Sequence, residues 1–367
     1  MNPRCSGTVI FALLIANHAA HAANALCSMP STGNGQVQPV MAAIQVLQKT
    51  LSPEQRKSLE HPLARESAIR WSSLPVGIVP RAGLRFGDLD ARQNHAARSL
   101  VAVALSACGV RVLDEIRVAD NLLKAADERK VGWDGGNYFI SVLGTPSERK
   151  PWMLQITGHH VAYNLTFNGK REGATPLFFG SEPILFTAAD TEYEPLIEQS
   201  LAMSNLARAL ANRSEAKLAG TFTDVVKGIV ISDPAVSTSG TDTGFPHTYP
   251  TGTADRGILY SALSPEDQAL VRAAIESYAS LPGEAFVRPL VTAYESPAAL
   301  AETYVGYSGQ PDLGAEGSYV RIDGPRVWME LAVQNSPFGR ARLRYHALWR
   351  DKQSDYGGMI KPAATQK

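Results

Sequence analysis

The chain has 367 residues, 44% of them hydrophobic, and 35 basic side chains balance 35 acidic ones to a formal net charge of zero. That apolar content supports one large core or two intimate domains, and the lack of a long basic run argues against nucleic acid as the main partner. After the leader, no segment approaches the ~20 uninterrupted apolar residues of a bilayer span, so no transmembrane segment is expected.

Residues 1–25 read as a signal peptide. Arg4 precedes an apolar stretch at 9–16, and Ala20-His21-Ala22 and Ala23-Asn24-Ala25 both fit the small-x-small cleavage rule. Asn24-Ala25-Leu26 before Cys27 is a poor lipobox. The expected product, residues 26–367, is exported to the periplasm or the extracellular medium as one domain. Cys5 leaves with the leader, and an oxidising compartment favours a disulfide between Cys27 and Cys108. Such a loop closure contributes roughly 4 kcal/mol in the chain-entropy model. An unpaired, buried Cys108 at a helix end is the other reading.

In chain order, residues 36–51 have helical spacing, and Ser52 and Pro53 open a second helix. "LPVGIVPRAGLRFGDLD" is a connecting loop. Asp88 or Asp90 caps "ARQNHAARSLVAVALSACG", which is expected to stop at Gly109, and residues 110–129 form the next helix. The period then changes to two. "NYFISVLGTPSERKPWMLQITGHHVAYNLTFNGK" and its sequel predict three or four antiparallel strands, with turns at Thr145-Pro146-Ser147 and Asn168-Gly169. Residues 195–218 return to helix. Residues 233–257 form a loop long enough to be a lid or rim. "SPEDQALVRAAIESYASL" is a capped helix. A strand, a Gly324-Pro325 turn and a hairpin around residues 336–339 close the chain. The fold class expected is α+β, with an antiparallel sheet built from hairpins and packed with helices.

At "GHHVAYN", "PLFFGSEP", "YVRIDGPRVWMEL" and "YHALWRDKQSDYG", supported by "VPRAGLRFGDL", "ALSACG" and "LGTPSERKPW", the chain resembles the domain of unknown function 3500 family. These are largely bacterial and often exported proteins. The resemblance covers about residues 44–358 and implies one shared domain without an established reaction. Family members commonly carry His-x-His before "WRD", whereas here the tripeptide is Arg344-Tyr345-His346. If the family site binds metal through both histidines, this chain has lost a ligand or put a charge in its place.

Two adjacent histidines, in a chain with 8, are the first chemical signal. In one continuous strand, His159 runs in phase with Val161, Tyr163 and Leu165, while His160 runs with Ala162, Asn164 and Thr166. Phase therefore assigns His160 to a polar pocket and His159 to the core, unless Gly158 marks a bulge. Both rings serving structure alone is the competing reading. At the C-terminal hairpin, a turn centred on Phe338 sets Glu330 opposite His346, Ala332 opposite Arg344 and Gln334 opposite Arg342. A salt-bridged sheet face is the plain alternative there. Glu182 falls at a strand end. Arg350 offers a planar fork to an anion or a bridge to Glu182, Asp351 or Asp355, and Arg81 is a weaker candidate of the same kind.

No G-x-S-x-G, H-E-x-x-H, P-loop or dinucleotide fingerprint occurs. The expectation is a metal-dependent hydrolase or oxidoreductase acting on a small molecule. His159 or His160 and His346 would hold zinc, copper or iron, and Glu182, Glu330 and Arg350 would serve catalysis. Arg344 would repel such a metal unless a carboxylate lies between them. The alternatives are a metal-free envelope protein that binds an anionic ligand, and acid–base catalysis by His and Glu alone.

Overall fold

A computed structural model describes residue 27 and residues 36–125, 130–169, 172–219, 249–336 and 342–360. Residues 1–25, expected to be a leader, residues 233–248 of the long loop and the turn around Phe338 lie outside them. Among the described residues, five helices fill the first third: α1 (Val37–Gln48), α2 (Pro53–Leu59), α3 (Arg65–Ala68), α4 (Ala91–Ala104) and α5 (Ala107–Ala125). Ser52 and Asp90 open α2 and α4 with capping boxes, each accepting from a glutamine N–H three residues on.

Gly109 does not end a helix. The α4 helix stops at Ala104, Leu105 is extended, and Ser106 caps α5 by accepting from the Gly109 N–H. Gly109 lies within α5, and the position takes glycine because a Cβ there would stand 2.0 Å from the Leu281 carbonyl oxygen. The next position, Cys108, is bonded to Cys27.

The strands that matter here are β3 (Phe139–Leu143), β4 (Trp152–Gly158), β5 (Val161–Phe167), β7 (Leu177–Ser181), β12 (Tyr319–Asp323), β13 (Val327–Asn335) and β14 (Leu343–Asp351). They run in the order β3-β4-β5-β7-β14-β13-β12 within a twelve-stranded, largely antiparallel sheet. The fold is α+β.

Alternation gives this sheet two unlike faces. One carries Leu154 and Ile156, Val161, Tyr163 and Leu165, Met329 and Leu331, and Ala347 and Trp349. It packs in the main core with Ile44 of α1, Leu100 of α4 and Ile116 of α5. Three later helices complete that layer: α6 (Ile197–Leu210), α7 (Pro265–Ala279) and α8 (Glu284–Tyr294) contribute Leu206, Ile275 and Phe286.

The opposite face carries Gln155, Asn164, Glu330, His346 and Arg350, yet it is buried as well. The end of α3, Trp71 and the chain around Tyr356 cover much of it. Trp71 packs on Ala162, Phe178 and Leu348, while Tyr356 packs with Leu143 and Met153. The Trp71 indole N–H donates to the Tyr356 hydroxyl at 2.9 Å, and the Gln155 amide donates to the Ala68 carbonyl at 2.8 Å. These bonds satisfy polar groups that the cover removes from water.

Two expectations change. The histidine pair is not within one strand: β4 ends at Gly158, which pairs with Val161, so His159 and His160 are the two-residue loop of a hairpin. His160 takes a left-handed backbone, φ 61°. Phase cannot then assign the two rings to opposite faces. The C-terminal hairpin keeps the expected faces but slides by two residues. Ala332 faces His346, Gln334 faces Arg344, and Glu330 faces Leu348.

Candidate metal centre

The hairpin loop carries both imidazoles into buried positions. A left-handed backbone disfavours most side chains, by roughly 1–2 kcal/mol, and glycine or asparagine would fit more cheaply. Histidine is nonetheless among the residues enriched there. Here an imidazole is kept at that cost, and it stacks on its neighbour with ring centroids 3.7 Å apart.

Gly180 of β7 makes room for it. A Cβ at that position would lie 3.1 Å from Cδ2 of His160 and 2.5 Å from the Tyr345 carbonyl oxygen. The Gly180 N–H also donates to the His160 carbonyl at 2.8 Å, tying the loop to β7.

His346 arrives from β14, where it pairs with Gly180. Its Nε2 stands 3.1 Å from Nε2 of His160. Burial pushes both imidazoles well below the usual histidine range. The His159 and His346 rings and Arg344 add to this for His160, and Arg344 and His159 do so for His346. Both rings are therefore neutral near pH 7, the form that offers a lone pair to a metal.

His159 is oriented from the helical layer. Its Nδ1 lies 2.6 Å from Oδ1 of Asp120, which α5 carries into the core at 1% exposure. The Tyr138 hydroxyl stands 2.9 Å from Asp120 Oδ2 and 2.8 Å from the His159 carbonyl oxygen. Burial raises the Asp120 carboxyl, opposed by the His159 imidazole and the Tyr138 hydroxyl. With Nδ1 held by a carboxylate, Nε2 is left for an ion, the arrangement common behind metal-bound histidines.

Glu182 follows β7 directly and is 1% exposed. Neither carboxylate oxygen has a hydrogen-bond partner among the described residues. The nearest cation is Arg344, whose Nη1 is 3.8 Å away, beyond hydrogen-bond range. One ligand atom from each of His159, His160 and Glu182 lies within 4.8 Å of the others. The His160–His346 pair, at hydrogen-bond distance, borders this group without belonging to it. Glu182 is the carboxylate that Arg344 faces.

The remaining candidates lie elsewhere. Arg350 pairs with Asp355 at 2.8 Å and lies four residues along β14 from His346, about 13 Å at strand rise. The Glu330 carboxylate accepts from the Tyr319 hydroxyl at 2.6 Å, opposite Arg321. The two-residue slide in register takes Glu330 away from His346. Arg81 donates to the carbonyls of Val79, Ser72 and Leu74 and reaches that of Gly158 at 3.4 Å. Burial lowers its pKa to about 10, leaving it cationic as a clamp on the loop beside the histidines.

Asp120, Tyr138 and Gly180 are the supporting residues that periodicity alone did not single out. Asp120 had a signal, because it occupies the buried stripe of α5, four residues after Ile116, where an apolar side chain belongs.

The family described as a protein of unknown function (DUF3500) matches residues 33–358. No curated protein and no solved structure matches.

Proposed function

The chain belongs to the DUF3500 family, whose description assigns no reaction, and from the geometry of the imidazole cluster we propose that it is a metal-dependent enzyme. In this reading His159, His160 and Glu182 bind one divalent transition metal, and His346 flanks the set. The observation that carries it is the Glu182 carboxylate, buried beside His159 and His160 with no hydrogen-bond partner among the described residues. Arg344 at 3.8 Å balances its charge without replacing the hydrogen bonds that burial removes, and a bound ion would supply the missing direct contact. Imidazole and carboxylate donors suit zinc, and equally copper or iron.

Catalysis rather than structure is favoured by the donor set. Structural zinc sites are closed and typically built on thiolates, whereas two histidines and a glutamate leave a position for water or substrate. The reaction class is metal-assisted hydrolysis or oxidation of a small molecule. A metal-free protein holding an anion with Arg344 and Arg350 is less well supported, since Arg350 is committed to Asp355. Export belongs to the same proposal, supported by the leader pattern and by the Cys27–Cys108 bond.

Elemental analysis of purified protein tests the metal. About one equivalent of zinc, copper or iron is expected, and it should disappear in a His160→Ala variant and bind more weakly in His346→Ala, both retaining their circular dichroism. Protein that stays metal-free after dialysis against each of these ions overturns the reading.

A further inference from the structure

Arg344 is the outermost of the five side chains at the site. Its side chain is 11% exposed, against 4% or less for His159, His160, Glu182 and His346. Its Nε has no hydrogen-bond partner among the described residues, and its Nη1 meets Glu182 only at 3.8 Å. Guanidinium and carboxylate thus face one another closely enough to balance charge but without a hydrogen bond.

We infer that Arg344 is an anion clamp switched on by metal loading: it takes a small carboxylate ligand once an ion on Glu182 has released it from that glutamate. This rests on the metal reading above. Without metal, the Glu182 charge occupies the guanidinium and repels an incoming anion. A divalent ion adds two positive charges on the Glu182 side, so the free fork of Arg344 then faces a site short of negative charge. The planar fork matches a carboxylate through two parallel N–H bonds. It also stands where the group comes closest to solvent, as an entering ligand requires. By linkage, the anion tightens the metal by the same factor as the metal tightens the anion.

Equilibrium dialysis of labelled acetate tests this, with zinc measured in the same samples. Wild-type protein should bind acetate about tenfold more tightly when zinc-loaded than metal-free. R344Q should still hold zinc and lose that gain. Zinc-loaded R344Q that binds acetate as tightly as wild type overturns the inference and leaves the metal reading standing. Wild-type protein that takes up no zinc overturns the metal reading, and this inference with it. If R344Q does not retain zinc, R344K decides, because it keeps the charge without the fork. Weaker acetate binding than wild type supports the clamp, and equal binding overturns it.

Discussion

Nε2 of His160 stands 3.1 Å from Nε2 of His346, although the two residues are 186 positions apart. Two rings that meet nitrogen to nitrogen share a single proton, one donating and the other accepting. A second proton would set two N–H groups against each other beside Arg344. This geometry agrees with the lowered basicity of both rings, for which burial is the largest cause.

A pH dependence follows, with a definite sign. Both folded-state pKa values lie below the ordinary 6.5, so below that pH the unfolded chain binds protons that the folded one refuses. Stability is complete above about pH 6.5 and falls as the pH drops, by roughly 1.4 kcal/mol per unit for each ring. Asp120, raised by burial, works in the opposite direction as it takes up its proton. Urea unfolding of metal-free protein at pH 7.5 and 5.5 should show the loss. His160→Asn, which tolerates the left-handed backbone, should flatten it. An equally steep loss in the variant would mean that other groups carry the dependence.

Asp120→Asn keeps the size of the side chain but removes the charge that holds Nδ1 of His159. Supporting partners of this kind typically govern 10–100-fold in metal affinity, on the order of the effect expected here. Competition against a chelator of known affinity measures it. Fold should persist, because the amide can still bond Tyr138. Unchanged zinc affinity would show that His159 is not a ligand.

Gly180→Ala places a methyl group 3.1 Å from the His160 ring and 2.5 Å from the Tyr345 carbonyl oxygen. The second contact is to backbone, which has little freedom to yield. A cost of about 1–3 kcal/mol is expected, together with loss of metal binding as the ring is displaced. Thermal melts with and without zinc read both effects. A variant that melts like wild type and takes up zinc would show that the loop adjusts freely.

The sheet faces were legible because alternation is local. Trp328, Glu330 and Ala332 share a face with Arg344, His346 and Leu348, as their spacing requires. Register was not legible, since sliding a hairpin by two residues leaves every side chain on its face. The histidine turn was hidden for a different reason: "TGHHVA" has no Asn-Gly or Asp-Gly pair to announce it, and alternation runs through it unbroken. Glu182 and Arg344 meet because β7 pairs with β14, Ser181 opposite Tyr345. That adjacency depends on strand order, which no periodicity contains.

Glu182→Gln separates the cost of a buried charge from its use. In metal-free protein the carboxylate is enclosed, has no hydrogen bond among the described residues and has only a distant guanidinium for company. Removing one partner of a buried charge pair commonly destabilises a protein, by roughly 3–5 kcal/mol where the partner left behind is fully enclosed. Arg344, left without its carboxylate, is only 11% exposed, so a loss of about 1–3 kcal/mol is expected here. The metal-free variant should therefore melt lower than metal-free wild type. Added zinc should then raise the wild-type melting temperature and leave that of the variant unchanged, because the ion gains stability only by binding the folded state. Circular dichroism that matches wild type separates the lost zinc response from a misfolded variant. A folded variant that zinc still stabilises would show that Glu182 serves the fold and not an ion.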